Sequence, residues 1–494
     1  MKLARLFSTA AIGTAVLAVG LAAGMSLRAY GTGSRQEAVT PVAKLAIDEM
    51  AAAMRLSGAI RFRTISVDER PDASAAAFLG LHDYLAARFP GVHRSLKLER
   101  VGQYSLLYTW PGSDPSLRPI MLMAHQDVVP IAPGTEKDWQ HDPFGGEIAD
   151  GFVWGRGAWD DKSNLLAVLE VLENLIAQGA RPRRTILVAS GHDEEVGGQR
   201  GARAIADLLK SRGTQLEFVI DEGSLIAEGI NRRVARPIAA IGIAEKGALT
   251  LSLAVEMAPG HSSMPPKATA IGTLAAAVRR LDSNQMPARI GGVAKEFLET
   301  LAPEMDDFNR VMLSNLWLTE PMVRARLEGQ PAMNAMLRTT TAVTVFNGGN
   351  KANVLPAQAN ALVNFRILPG DSIGAVERHV REQIADPSIT VTRVGSGREP
   401  SPISPPETPA YASIAHTIRE VFPDAIVAPG LVIAGTDSRH MTELTANIYR
   451  FLPVRATGDD LARFHGTNER ISIANYADLI RFFQRLIVVT SIEQ

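Results

Sequence analysis

The strongest constraint on the fold is the alternation of short apolar runs with amphipathic helical patterns in the first half of the chain. The apolar runs lie in "PIMLMAHQDVVP", "RTILVAS" and "EFVIDEG", and the helical patterns lie in "SNLLAVLEVLENLIAQG" and "GARAIADLLKSRG". Short apolar runs are typical of strands buried on both faces, and strands alternating with helices are typical of a parallel sheet. The sequence therefore predicts an α/β domain whose mostly parallel central sheet is flanked by helices.

The pattern changes near residue 246, where alternating apolar residues begin. The order strand, helix, strand, strand, helix, strand can be followed through "GALTLSLAVEMAPG", "KATAIGTLAAAVRRL", "TTTAVTVFNGG", "ANALVNFRILPG", "SIGAVERHVREQI" and "ITVTRVG". This order predicts a βαββαβ domain of the α+β type over residues 246–397, inserted in a first domain made of 35–245 and 398–494. An apolar stretch at about 283–337 is predicted to be a mostly helical insertion. A chain of 494 residues is long enough for two cores.

The N-terminus carries a leader. Lys2 and Arg5 precede an apolar run from Leu6 to Leu27, which suits an export signal and is also about the ~20 residues that a membrane helix needs. Residues 1–34 are predicted to be a signal peptide or an N-terminal membrane anchor. Either alternative makes this an exported protein: secreted, periplasmic, or membrane-anchored and facing outside the cytoplasm.

Composition limits the partners and the chemistry. Lys and Arg number 51 against 52 for Asp and Glu, a net charge of -1, so a nucleic-acid partner is not expected. Small molecules or proteins are expected instead. The chain has 0 cysteines, so a metal site would have to use His, Asp and Glu side chains.

Acids and a histidine follow each of the predicted parallel strands, and the carboxyl ends of such strands meet at one edge of the sheet. These residues are His125, Asp127, Glu194, Glu195, Asp221 and Glu222, with Asp160 and Asp161 in "WGRGAWDDKSN". Taken singly, each motif has an ordinary explanation as a helix cap or a solvated helix start. Together they predict a metal site, and oxygen and nitrogen ligands suit zinc or a similar divalent ion. Two ions sharing one carboxylate could activate a water molecule.

"AHQD", "GRGAWDDK", "DEEVGG", "DEG" and the late "RFHGTNERIS" resemble the motifs of the di-zinc metallopeptidases of peptidase family M20. That family includes aminoacylases, carnosinases and desuccinylases. The resemblance spans nearly everything after the leader. The stretches "LSNLWLTEPMV" and "MLRTTTAVTVFNGGNKANVLPAQANALVNFRILPG" are most similar to the carboxypeptidase S branch, which also contains N-acyl amino acid synthase/hydrolases.

The resemblance implies two Zn²⁺ per subunit, with Co²⁺ or Mn²⁺ as alternatives. It implies that Glu194 is the general base and that Asp127 holds the ring of the first histidine. "DEG" offers two acids, and Asp221 is preferred over Glu222 because the carboxypeptidase S branch shows the same triplet. The implied metal ligands are His125, Asp160 as the bridge, Glu195, Asp221 and His465.

Further residues are implied to contact the substrate. His261 in "APGHSSMPP" would stabilise the oxyanion, across a homodimer formed through the inserted domain, which would act as a lid. Asn353, Arg366 and Thr436 would bind the terminal carboxylate of the substrate, which a planar guanidinium suits. The alternative for Arg366 is a solvated strand arginine.

The expected function is therefore zinc-dependent cleavage of the amide bond next to a C-terminal amino acid. The substrate would be a small peptide, as for a carboxypeptidase, or an N-acyl amino acid, as for an aminoacylase. The alternative is a non-catalytic metal- or peptide-binding protein that keeps the fold. It is disfavoured because the base, Glu194, and the bridging acid, Asp160, are both present.

Overall fold

The computed structural model describes residues 2–229, 234 and 236–493, with side chains from residue 13 onward. The chain divides into two compact units. The larger unit consists of Glu37–Asn231, Arg236–Lys246 and Ser401–Gln494. The smaller unit consists of Met1–Gln36, Arg232–Ala235 and Gly247–Pro400.

The strands of the described chain are numbered in chain order. They are β1 Lys97–Val101, β2 Ser105–Trp110, β3 Ile120–His125, β4 Ile148–Ala149, β5 Phe152–Trp154, β6 Ile186–Gly191, β7 Phe218–Ala227, β8 Ile238–Glu245, β9 Gly247–Glu256, β10 Gly260–His261, β11 Thr340–Gly348, β12 Val354–Leu355, β13 Gln358–Ile367, β14 Ile389–Arg398, β15 Ile426–Val432, β16 Ile448–Ala456 and β17 Arg470–Ser472.

The α-helices are numbered in the same way. They are α1 Lys2–Gly31, α2 Glu49–Ile60, α3 Ala75–Arg88, α4 Pro90–Ser95, α5 Lys162–Ala177, α6 Ala202–Ser211, α7 Ala270–Ser283, α8 Gly292–Leu301, α9 Asp307–Ser314, α10 Leu316–Glu328, α11 Pro331–Leu337, α12 Ile373–Ile384, α13 Pro409–Val421, α14 Gly458–Leu461 and α15 Ile473–Ile487.

The larger unit is built on an eight-stranded sheet with the order β1-β2-β6-β3-β7-β16-β8-β15. Strands β6, β3, β7 and β16 are parallel neighbours, as are β8 and β15. Every residue of β3 and β6 is buried, because helices such as α5, α6 and α15 cover the sheet. The predicted α/β class with a mostly parallel sheet is confirmed.

The antiparallel edge formed by β1 and β2 was not part of the prediction, and neither was β16. In the motif "DEG", the third predicted strand does not end at the glycine but continues to Ala227.

The smaller unit contains an antiparallel four-stranded sheet in the order β11-β13-β9-β14. One face of this sheet packs on α7 and α12 around a core that includes Leu251, Leu274, Val363 and Val380. Strands β9, β11, β13 and β14 with helices α7 and α12 follow the predicted βαββαβ order. A short ribbon of β10 and β12 accompanies the sheet.

Helices α8 to α11 form the insertion that precedes β11, and they have a small core of their own made of Leu298, Ala302, Leu313 and Val323. The N-terminal helix α1 belongs to the same unit. Its stretch Gly13–Gly31 is long and apolar enough to cross a membrane, as a signal sequence would also be, and only 6% of that stretch is buried.

Candidate active site

The first group of ligand-capable side chains lies at the carboxyl end of the parallel strands. His125 closes β3, Asp160 follows a glycine-rich turn, and Glu222 lies on β7. The ligand atoms of these three buried residues all lie within 4.8 Å of one another. His125 Nε2 is 2.8 Å from Asp160 Oδ1 and 3.5 Å from Glu222 Oε1.

A second group shares Asp160 with the first and adds Glu195 and His465, again with ligand atoms within 4.8 Å of one another. His465 Nε2 is 2.7 Å from Asp160 Oδ2 and 3.3 Å from Glu195 Oε2. The two oxygens of Asp160 therefore point to different histidines. This is the placement expected of a carboxylate that bridges two cations.

Asp221 lies outside both groups. Its Oδ2 accepts a hydrogen bond from the Ser438 backbone N–H at 2.8 Å, and its Oδ1 accepts one from the Glu222 N–H at 3.0 Å. Successive residues of a strand face opposite sides of the sheet, so only one acid of "DEG" can point at His125. The structure turns Glu222 toward the histidine, although the sequence analysis preferred Asp221 as the ligand.

Asp127 connects the first histidine with the two glutamates. Its Oδ1 lies 3.3 Å from His125 Nδ1, and the Asp127 backbone oxygen lies 3.0 Å from the same nitrogen. The Asp127 carboxylate also accepts hydrogen bonds from the backbone N–H groups of Glu194 and Glu195 and from Ser66 Oγ. With Nδ1 occupied, Nε2 of His125 is the nitrogen that faces Asp160 and Glu222.

Glu194 opens a short 3₁₀ turn, Glu194–Val196, which two residues separate from the end of β6. Its side chain is 10% exposed, and Arg439 NH1 lies 3.6 Å from Oε1. Arg439 is itself held by the backbone oxygens of Thr436 and Gly197. Arg439 was not predicted as a site residue, because it comes from a segment far from Glu194 in sequence.

A buried ion pair joins the two segments that supply Asp160 and His465. Glu469 Oε1 accepts hydrogen bonds from the N–H groups of Gly157, Trp159 and Asp160 at 2.9, 3.0 and 3.2 Å. Its Oε2 accepts from Arg156 NH1 at 2.5 Å, and Arg156 NH2 donates to the backbone oxygens of His465 and Gly466. We call Arg156 and Glu469 the ligand clamp. Both residues lie in the quoted motifs, but no feature of the sequence indicates that they pair.

The turn before Asp160 needs a glycine. Gly157 has φ +87°, and a Cβ there would lie 2.8 Å from Val128 Cγ1. An alanine would therefore be strained both by its backbone conformation and by contact.

Charges in the site are strongly coupled. Burial raises the pKa of Glu194, Glu195 and Glu222 to about 8, while hydrogen bonds to Asp160 and Glu195 raise the pKa of His465 to about 10. The pKa of Asp160 is held below its usual value. Burial alone would raise it, but the hydrogen bonds from His125 and His465 outweigh that effect. Such a cluster binds protons, or it binds cations that replace them.

The donors fit divalent metal ions. Each group offers one imidazole nitrogen and two carboxylates, and cysteine is absent from the sequence, a set that suits zinc, cobalt or manganese. Glu195 Oε1 is buried without a hydrogen-bond partner among the described residues. A buried carboxylate oxygen in this state is available as a ligand.

Comparisons with known proteins identify the family. The sequence profile of peptidase family M20/M25/M40 matches residues 121–488. The chain belongs to peptidase family M20. The resemblance seen in the sequence motifs is thus confirmed, and the chain is a metal-dependent hydrolase of the class that cleaves amide bonds.

Two relatives show which branch this member of the family resembles. The N-fatty-acyl-amino acid synthase/hydrolase PM20D1 of Mus musculus is 45% identical over 434 residues, covering 86% of this chain and 85% of the relative. The probable carboxypeptidase S-like 2 of Dictyostelium discoideum is 42% identical over 445 residues, covering 89% and 85%. The fold is similar to the M20 metallo-carboxypeptidase Sso-CP2 from Sulfolobus solfataricus, with a TM-score of 0.66, 16% identity, and coverage of 90% of this chain and 99% of that one.

Three of the predicted substrate-contacting residues lie in the smaller unit. His261 is exposed on the ribbon of β10 and β12, and the exposed Asn353 directly precedes β12; the Ser262 N–H donates to the Asn353 backbone oxygen at 3.2 Å. Arg366 is exposed on β13 between the buried Phe365 and Ile367. Their roles toward a substrate stay predictions.

Thr436 lies in the larger unit, and it is buried. Its N–H and hydroxyl both donate to Glu245 Oε2, at 2.9 and 3.1 Å, and Arg450 Nε pairs with the same oxygen at 3.1 Å. The hydroxyl of Thr436 therefore has a structural partner already. Its role as a carboxylate contact stays a prediction.

Proposed function

We propose that this M20 enzyme is an exported di-zinc amidohydrolase that cleaves the amide bond next to a C-terminal amino acid. The observation that carries the proposal is the pair of ligand groups that share Asp160 and adjoin Glu194. The names of the two relatives suggest two substrate classes, small peptides and N-acyl amino acids. Both classes present an amide beside a free carboxylate.

We assign His125, Asp160 and Glu222 to one metal site, and Asp160, Glu195 and His465 to the other. Glu222 replaces Asp221 in this assignment because its carboxylate, unlike that of Asp221, faces His125. Zinc held by these residues would supply Lewis-acid chemistry, which polarises a carbonyl and lowers the pKa of water.

We propose that Glu194 transfers the proton of the attacking water. Its carboxylate would accept the proton of the attacking water and then deliver it to the nitrogen of the leaving amine. Arg439, 3.6 Å from Glu194 Oε1, would hold the ionised form of that carboxylate in place. Asp127 fixes the backbone N–H groups of Glu194 and Glu195, so it positions the base and a ligand together.

Two neighbouring glutamates provide a matched test of these roles. Glu194→Gln should keep the zinc content of the wild type and lose about 10²- to 10⁴-fold in kcat, the usual contribution of a general base. Glu195→Gln should instead lose zinc. Wild-type turnover in Glu194→Gln, or equal zinc loss in both variants, would contradict the assignment.

The substrate class can be decided with one pair of substrates. A dipeptide of the Gly-Leu type and a long-chain N-acyl phenylalanine should be compared on the zinc-loaded enzyme. We expect hydrolysis of at least one of them, abolished by a chelator. If zinc-loaded enzyme hydrolyses neither, the proposed cleavage next to a C-terminal amino acid is contradicted.

We further propose that the smaller unit acts as a lid and that His261 stabilises the oxyanion in the active site of a second copy. The exposure of His261 on the ribbon, with the exposed Asn353 directly before β12, supports this role. Mixing the inactive variants Glu194→Gln and His261→Ala should then restore part of the activity, because mixed dimers contain one complete site. A fully active monomer in light scattering would exclude it.

The leader supports export, and we propose that α1 is retained as a membrane anchor. The mass of the mature protein tests this directly. A mature chain that lacks residues 1–24 would contradict retention of the anchor.

A further inference from the structure

Four large apolar side chains are exposed on two consecutive helices of the insertion. They are Phe308 on α9 and Trp317, Leu318 and Met322 on α10, with exposed fractions of 62%, 64%, 44% and 66%. We call these four residues the apolar patch. The same helices contribute Leu313 and Val323 to the core of the insertion. The patch residues are therefore not needed to hold the insertion together.

The C-terminal part of α1 is bound to α9 and to Asn315, the residue that joins α9 to α10. Asn315 Nδ2 donates to the Met25 backbone oxygen at 3.0 Å, and Arg310 Nε donates to the Ala29 oxygen at 3.0 Å. The Tyr30 hydroxyl donates to Asp307 Oδ1 at 2.6 Å. Ala29 is fully buried in this contact.

These contacts place the apolar patch next to α1. Asp307 directly precedes Phe308, and Asn315 lies two positions before Trp317 in sequence. Trp317 and Arg28 also line the same cavity, whose volume is about 410 Å³. The patch therefore lies beside the part of α1 that begins at Met25.

The rest of α1 has the length of a membrane span. Leu6 to Gly24 contains no charged residue, and at 1.5 Å per residue these ~19 residues extend ~28 Å, close to the ~30 Å hydrocarbon core of a bilayer. Lys2 and Arg5 stand at the far end. If the stretch from Leu6 to Gly24 spanned a bilayer, α1 would leave the bilayer at the point where the helical insertion contacts α1.

We propose, resting on the retained membrane anchor proposed above, that the apolar patch is a membrane-docking surface, which lies in the interface of the bilayer that α1 would span. Tryptophan suits this depth, because its ring is apolar while its N–H needs a polar partner. Trp317 Nε1–H donates to Asn315 Oδ1 at 3.3 Å and leaves the ring exposed. The apolar patch is expected to contact lipid rather than a protein, because α1, which the insertion binds, would bring the patch to the bilayer surface.

The chain has 0 cysteines, so single labels can be introduced without background. Spin labels at Phe308→Cys and Met322→Cys should be compared with Val394→Cys, which lies on β14 and is 47% exposed. Full-length protein in phosphatidylcholine and phosphatidylglycerol vesicles is the sample. The ratio of collisions with oxygen to collisions with a water-soluble nickel complex should rise several-fold at positions 308 and 322 and stay low at 394.

An independent readout uses the native side chain. The emission of Trp317, taken as the difference between wild type and Trp317→Phe, should shift to shorter wavelength when vesicles are added. Labels at 308 and 322 that are as accessible to nickel as the label at 394 would overturn the proposal. Protein that does not float with the vesicles would overturn it too, and labels shielded from both reagents would indicate a second copy or another protein instead.

Discussion

The ligand clamp should control how tightly the site built on Asp160 and His465 holds its metal. In Glu469→Gln the amide oxygen can still accept the three backbone N–H groups, but the amide NH₂ would face Arg156 NH1, donor against donor. Breaking a buried ion pair by removing one charge costs about 3–5 kcal/mol. Because the clamp holds the backbone of Asp160 and the carbonyl of His465, part of that cost should appear as weaker metal binding.

We expect zinc affinity to fall about 10- to 100-fold in Glu469→Gln, the range found when groups that orient metal ligands are changed. The assay is competition with a chromophoric chelator, and unfolding is followed in parallel. Glu170→Gln is the matched control. Glu170 is buried and pairs with Arg55 at 2.5 and 2.7 Å, and its bonds do not reach the metal ligands.

The control should lose stability and keep its zinc affinity. Unchanged zinc affinity in Glu469→Gln, despite reduced stability, would refute the idea that the clamp positions ligands. An equal loss of affinity in both variants would also refute it, because the effect would then follow from general destabilisation.

Three further predictions concern single side chains. Asp127→Asn should lose about 10- to 100-fold in zinc affinity or in activity, because Asp127 braces His125 and the N–H groups of Glu194 and Glu195; a wild-type zinc titration with wild-type rates would contradict this. Burial lowers the pKa of His440 to about 4, so this histidine takes up a proton at a higher pH in the unfolded chain than in the folded chain. The free energy of unfolding should therefore fall by about 2 kcal/mol as the pH drops from 7 to 5. Urea unfolding with chelator present should show a smaller fall in His440→Gln, and an identical fall in both proteins would count against it. Arg366→Ala should reduce the preference for substrates with a free carboxylate over their amides about 10-fold or more, and an unchanged preference would remove Arg366 from the substrate pocket.

The central strands and their polar ends could be predicted from sequence because fully buried parallel strands are continuous apolar runs. Strand β3 is the clearest case, with every residue buried up to His125. The edge strand β1 was missed because it is largely exposed and carries a weak apolar signal. The neighbouring β2 was missed as well, although it is almost fully buried.

The choice between Asp221 and Glu222 shows where sequence reasoning stops. Adjacent residues of a strand face opposite sides of the sheet. Which side carries the site depends on segments that are distant in sequence and pack against this strand. Here the Ser438 N–H donates a hydrogen bond to the Asp221 carboxylate, and Ser438 is far from Asp221 in sequence. Two other features of the site also join segments that are distant in sequence. They are the pairing of Arg156 with Glu469 in the ligand clamp and the approach of Arg439 to Glu194.

The contacts of α1 could not be predicted either, because a signal peptide or a membrane anchor is not expected to pack on a folded domain. Its residues Met25, Ala29 and Tyr30 bind side chains of the insertion. Neither segment contains a motif that indicates the other.

The most direct test of the account is anomalous diffraction at the zinc edge from crystals grown with zinc. We predict two anomalous peaks, one contacting His125 and Glu222 and the other contacting Glu195 and His465, with Asp160 bound to both. A map without peaks between these side chains, or with His465 far from Asp160, would contradict the proposed metal centre.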